Sequence, residues 1–304
     1  MTHLSHTQSA SERSLIFPAN THVRGIIYMV AASLFFTIMH VFAKRLSTHV
    51  PIAEISFFRS IITLVIIAPW MLYKKESFLG YNRKLLFIRG IFGFSSLFLG
   101  FFAISQIRLG DVTVLWKTSV VFTAAFAAFF LKERVTPTLM SLIGLAMVGA
   151  ALIVKPGFEV MNLGGLAALM AGIFVGIVTI SVRELHKTES SLTIIFSFSL
   201  WATLMSVVLF GHQFIVPPAT DLLSLILMGI AGTIGQLWFT AAFIYAPASV
   251  TQPYAFSEVI FSMFAGLLLW GEVPDVLSLL GSGLIIISGI GILRAARPPV
   301  TADV

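Results

Sequence analysis

Residues 85–105 read LLFIRGIFGFSSLFLGFFAIS, and residues 224–244 read SLILMGIAGTIGQLWFTAAFI. Laid over one another at an offset of 139 residues, they share glycine at Gly90 and Gly229 and again at Gly93 and Gly232. The same offset pairs Phe35 with Phe174, Phe57 with Phe196, Glu133 with Glu272 and Gly144 with Gly283, with no gap between the first pair and the last. The chain is therefore a tandem repeat. Each quoted stretch is also about as long as a helix needs to be to cross about 30 Å of hydrocarbon.

Composition agrees with that length. The chain is 58% hydrophobic and 11% charged, with a mean hydropathy of +0.98, where a soluble domain carries about 25% charged residues. Ten apolar spans are predicted, over 25–43, 51–72, 85–105, 110–131, 137–155, 163–183, 191–211, 221–244, 248–270 and 276–294. The expected fold is an all-α integral membrane protein of two five-helix repeats, 25–155 and 163–294, flanked by cytoplasmic tails at 1–24 and 295–304. The first tail reads as disordered. The first span has a partner in the second half, so it is not read as a cleaved signal peptide. Five crossings per repeat turn the second copy upside down. Inverted repeats around a midplane site are the usual build of secondary transporters.

The distribution of Lys and Arg sets the expected orientation. With a cytoplasmic N-terminus, Lys74, Lys75, Arg83, Lys84, Lys132, Arg134, Arg183, Lys187 and the tail arginines fall inside, whereas only Lys44, Arg45, Arg108 and Lys155 fall outside. This three-to-one excess places both termini in the cytoplasm. It also explains the net charge of +6 without a nucleic-acid partner. The absence of cysteine excludes disulfides, thiolate zinc sites and cysteine nucleophiles. No HExxH, Walker loop or G-x-S-x-G occurs, so no enzyme, metal site or cofactor is expected.

Small and polar residues line single helix faces. Ser33, Thr37, His40 and Lys44 share one face of the first span, and Gly172, Gly176, Thr179 and Arg183 share the matching face of the sixth. Such faces point to protein or water rather than lipid. The fifth and tenth spans lack central ionisable groups and carry Gly144, Gly149, Gly281, Gly283 and Gly289. They are expected outside the substrate path, as packing helices or a homodimer face.

Leu131-Lys132-Glu133-Arg134 closes the fourth span and Trp270-Gly271-Glu272-Val273 closes the ninth, each with a glycine eleven residues after its glutamate, at Gly144 or Gly283. Pro51, Glu54, Phe57 and Arg59 open the second span. In these marks, over about residues 23–294, the chain resembles the drug/metabolite transporter superfamily, in its ten-helix branch with two EamA-type repeats. The resemblance implies a basket of ten helices around a central cavity, alternating access and a small organic solute. The second repeat departs from the first: Thr193 stands at the position of Glu54 and Phe198 at that of Arg59. The cavity should be electrostatically asymmetric.

Ionisable groups inside the bilayer are the site candidates, because a charge there is expensive. Glu258 lies about 15 Å into the ninth span at 1.5 Å per residue, and its repeat partner is Ser119. It reads as an amine contact or proton site, or else as a buried interhelical pair. Lys117 and Arg59 are shallower. They read as anion contacts, or as structural pairs of Lys117 with Glu258 and Arg59 with Glu54. Arg89 is expected to snorkel to the cytoplasm. His40 and Thr37 lie on the polar stripe, and His40 titrates near neutral pH when unperturbed, which opens proton coupling. Trp116, Trp238 and Tyr254 are candidates for stacking, Gln236 for lining the cavity, and Pro253 for a kink or gate. Glu133 and Glu272 are expected to cap the start of the following helix, with Gly144 and Gly283 packed against it.

The expected function is secondary export of a small organic metabolite, leaning to amino acids or organic anions, across the plasma (inner) membrane. One alternative is a multidrug or amine exporter using Glu258. Another is a membrane partner protein that transports nothing. The partners expected are the solute and the bilayer.

Overall fold

In the computed structural model, residues 19–130, 136–154, 163–246 and 251–295 are described. Among them every regular element is helical: α1 (Ala19–Leu46), α2 (Ile52–Lys74), α3 (Arg83–Gln106), α4 (Leu109–Lys117), α5 (Ser119–Phe130), α6 (Pro137–Val154), α7 (Leu163–Leu185), α8 (Ser191–Phe210), α9 (Ala219–Tyr245), α10 (Ser257–Trp270) and α11 (Val276–Ala295). Six of these helices, α1, α2, α3, α7, α8 and α9, are long and apolar enough to cross a membrane, and three shorter apolar helices lie within α6, the 254–270 segment and α11. Leucine, isoleucine and phenylalanine also stand exposed around α8 to α11, as a bilayer solvent requires.

The 110–131 segment, expected as one helix, is two. Thr118 ends α4, and its N–H and its hydroxyl both donate to Leu115 O, at 3.1 and 2.5 Å. Gly172 of α7 makes room for this break, since a Cβ there would sit 2.5 Å from Thr118 Oγ1. The equivalent place in the second half is a 3₁₀ turn, Gln252–Phe256, which contains Pro253 and leads into α10.

The repeat spacing has a packing cause. The halves interleave: α1 packs along α9, α7 along α3, α2 along α8, and α6 along α11. Gly90 leaves space for Trp201 and Gly229 for Ile62; Gly93 faces Phe198 and Gly232 faces Arg59. Ser96 Oγ donates to Ala171 O at 3.2 Å, and a Cβ on Gly235 would lie 3.3 Å from Ala32 O. Each contact is the other's counterpart at the 139-residue offset, with the halves exchanged. At Gly90, Gly93, Gly229 and Gly232, glycines kept in both copies, the opposite copy rests against the backbone.

Gly144 and Gly283 do not play the packing part expected of them. A Cβ at either would meet nothing within 4 Å. The close approach of α6 and α11 is at Gly149 and Gly281, where a Cβ would come to 2.7 and 2.5 Å from the facing carbonyl oxygen.

Candidate functional site

The two helix breaks bring the ionic residues together. Lys117 is the last residue of α4, and Glu258 lies in the first turn of α10. Lys117 Nζ donates to Glu258 Oε2 at 2.6 Å, with the side chains 19% and 8% exposed. His40 of α1 places Nδ1 3.4 Å from Glu258 Oε1, a close contact that misses hydrogen-bond geometry. The His40 ring stacks on Trp116 at 5.3 Å, and Trp116 fits against α3 because Gly100 has no Cβ to meet it. Thr37 Oγ1 donates to Ser33 O at 3.0 Å and lies 3.4 Å from Ser262 Oγ. The start of α10 also favours a carboxylate, by about 0.3–1 kcal/mol. Of the pairings the sequence left open, Lys117 with Glu258 forms. Arg59 with Glu54 does not: Glu54 Oε2 accepts from Ile215 N at 3.0 Å.

Arg59 and Arg89 form a second group. Both are buried, 3% and 6% exposed. Their guanidinium carbons lie 5.0 and 4.2 Å from the Phe198 ring centre. Arg89, expected to snorkel, instead turns inward, because Gly93 leaves the space one helical turn on into which its Nη1 extends. Nε and Nη1 of both arginines have no hydrogen-bond partner among the described residues. A desolvated cation–π contact supplies about 2 kcal/mol, less than the several kcal/mol per ion that burial costs. The aromatic ring alone does not account for two guanidinium groups here.

The remaining candidates separate. Gln236 is half-buried on α9, and Tyr254 is exposed rather than buried with the cluster. Trp238 packs edge-on against Tyr28 and Phe35 in the seam of α1 with α9. Pro253 lies in the 3₁₀ turn before α10. Glu133 lies outside the described residues. Glu272 corrects its expected role. It is paired with Lys44, and its Oε2 accepts from Leu109 N at 2.9 Å, at the start of α4. Asp275 takes the cap expected of it, accepting from Ser278 N at 3.0 Å. The glutamate is a cross-repeat tie, because the turn at Gly271, with φ +65°, folds it back over the bundle end.

That end holds more charge. Arg108 bridges Asp111 at 2.7 Å and Asp275 at 2.6 Å. A cavity of about 340 Å³ opens there, lined in part by Lys44, Gln106, Arg108, Asp111 and Glu272. It lies beside these ties, and Glu258 is not among its lining residues. At the opposite end Glu189 Oε1 accepts from Tyr81 N and Asn82 N at 2.7 and 2.6 Å.

Apolar helices of membrane-spanning length, enclosing a buried ion pair where two helices break, define a multi-pass membrane transporter. The chain belongs to the EamA-like transporter family, whose model matches residues 23–155 and 162–294; it is a transporter and not an enzyme. It is 30% identical to the pseudopaline exporter CntI of Pseudomonas aeruginosa, over 90% of this chain and 97% of that one. It is 27% identical to the mouse solute carrier family 35 member G1, over 88% and 77%. It is 23% identical to an S-adenosylmethionine uptake transporter of Rickettsia conorii, over 91% and 95%. A solved crystal structure 16% identical in sequence superposes with a TM-score of 0.62 over 90% of this chain and 97% of its own, a likeness of fold alone.

Proposed function

We propose that the protein is a secondary transporter that exports a small organic metabolite bearing a carboxylate, such as an amino acid or organic anion, by alternating access. The observation that carries this reading is the Lys117–Glu258 pair at the junction of two interrupted helices. Broken helices near the midplane are where secondary transporters place their solute sites, and a buried ionic residue marks a pathway. In this reading the ten spans form two inverted repeats in the plasma membrane, with both termini cytoplasmic. Lys117 receives the solute carboxylate, Glu258 receives its ammonium group, and Trp116 covers the site. The name of the CntI relative favours export.

The test is flux in liposomes of purified protein, loaded with amino acids, carboxylates or amines in turn. Carboxylate or amino-acid flux that falls at least about tenfold in Lys117→Ala, from loss of a charge-assisted bond, supports the reading. Flux of amines alone, abolished by Glu258→Gln, replaces it with an amine exporter.

A further inference from the structure

Arg59 and Arg89, the fully buried cations among the described residues, differ from those only partly buried. Lys44 is tied to Glu272, Lys117 to Glu258, and Arg108 to Asp111 and Asp275. Arg59 and Arg89 have no carboxylate within ion-pair distance among the described residues, and four of their buried nitrogens lack any hydrogen-bond partner. We propose that Arg59 and Arg89, set together against Phe198, form a subsite for a compact organic dianion, the acidic end of the transported solute. This deepens the transport reading and rests on it.

Three observations converge. The first is charge. The Lys117–Glu258 pair neutralises itself, and the buried Glu54 accepts from Ile215 N instead, so neither arginine is paired with a carboxylate among the described residues. A dianion cancels both of their charges, whereas a monoanion leaves one. The second is placement. Both guanidinium carbons lie within 5.0 Å of one ring centre, so both groups border the same residue. Guanidinium groups bind carboxylate and phosphate in a planar fork. The third is the setting. Gly93 of α3 and Gly232 of α9, partners in the repeat, border the two groups: Arg89 Nη1 and Phe198 occupy the space beside the first, and Met39, with Arg59 Nε next to it, the space beside the second. Met39, next to His40 on α1, lies against Gly232, which joins this subsite to the Glu258 cluster along one helix. Beside it Thr63 Oγ1, which donates to Arg59 O, lies 2.8 Å from Thr233 Oγ1.

The experiment is thermal melting of the purified protein with succinate, monomethyl succinate or inorganic phosphate, each at about 10 mM, since a ligand of the folded state raises the melting temperature. Succinate or phosphate is expected to stabilise, and monomethyl succinate to bind at least about tenfold more weakly, the share of one charge-assisted bond. Arg59→Gln and Arg89→Gln should each abolish the effect while melting, without ligand, no lower than the parent, because an uncompensated charge has been removed. Where a glutamine variant does not fold, the corresponding lysine variant is read instead, with weakened binding expected because the planar fork is lost. Equal stabilisation by the monoester, dianion binding retained in the variants, or ligand-free variants that melt lower while no dianion binds would overturn the proposal. Arg89-dependent stabilisation by phosphatidylglycerol and not by succinate would assign the site to a lipid headgroup and overturn it too. Lys117-dependent flux of monocarboxylates without dianion binding would sink this inference and leave the transport reading standing. Dianion binding without flux would do the reverse.

Discussion

Glu258→Gln, Lys117→Met and the double variant form a cycle that measures the central ion pair. Removing one partner of a fully buried pair costs about 3–5 kcal/mol, because the other charge is stranded, while an exposed pair is worth about 0–1 kcal/mol. Here the carboxylate side chain is 8% exposed and the lysine 19%. The ammonium stranded by Glu258→Gln can therefore partly reach water, so the expected cost is about 2–3 kcal/mol. The carboxylate stranded by Lys117→Met has less exposure and only the His40 contact at 3.4 Å, so that variant should melt lower. The double variant strands neither charge and should return to within about 1 kcal/mol of the parent, a coupling of at least about 3 kcal/mol. The readout is melting in detergent followed by tryptophan fluorescence, to which Trp116 contributes from beside the pair. The expected drop is roughly 5 °C for each single variant. A coupling below about 0.5 kcal/mol would refute the reasoning: the pair would then be solvated like one at a surface.

Three further outcomes follow from other parts of the molecule. Gly149→Ala should destabilise by about 1–3 kcal/mol through overpacking against Gly281, while Gly144→Ala and Gly283→Ala should each be neutral or stabilise by up to about 1 kcal/mol, as helix glycines facing open space; melting temperatures check the contrast. Glu272→Gln should keep the cap on Leu109 but lose the pair with Lys44, lowering stability by about 1–3 kcal/mol and raising the labelling rate of a cysteine placed at Ser105 beside the adjoining cavity. Because the chain has no cysteine, Thr48→Cys and Tyr81→Cys can be labelled one at a time in intact cells. An impermeant maleimide should reach the first from outside and the second only after permeabilisation, and the opposite pattern would invert the orientation.

Much of the helical layout was legible because bilayer-length apolar runs and the 139-residue offset carry it. The glycines at 90, 93, 229 and 232 marked the repeat, and in the structure each faces a counterpart residue of the other half. The break at Thr118 was not legible. No proline or glycine marks it, and it is made by two hydrogen bonds to one carbonyl and by a glycine on a distant helix. The inward turn of Arg89 had one local signal, Gly93 a turn away, but spacing alone does not say whether a guanidinium follows a groove or reaches for the interface. Glu272 was misassigned for a related reason. A cap can serve the next helix or, after a left-handed turn, another one, and only the path through Gly271 decides.

The repeat also separates framework from chemistry. The shared glycines Gly90 with Gly229 and Gly93 with Gly232 sit at contacts made twice with the halves exchanged. Residues of the ionic cluster are unshared: Lys117 is matched by Phe256, Glu258 by Ser119, His40 by Thr179, Arg59 by Phe198 and Arg89 by Met228. Arg59 and Phe198, counterparts that differ, touch one another. Contacts near an exchange axis involve equivalent positions, so replacing one member of such a pair breaks the symmetry of the interior without disturbing the packing around it. A symmetric pair of arginines at these two positions would set like charges against each other, and a symmetric pair of phenylalanines would leave no charge. The unequal pair places a cation over a ring that can hold it. The polarity of the interior therefore rests on a few departures from the repeat, while the repeat itself supplies the scaffold.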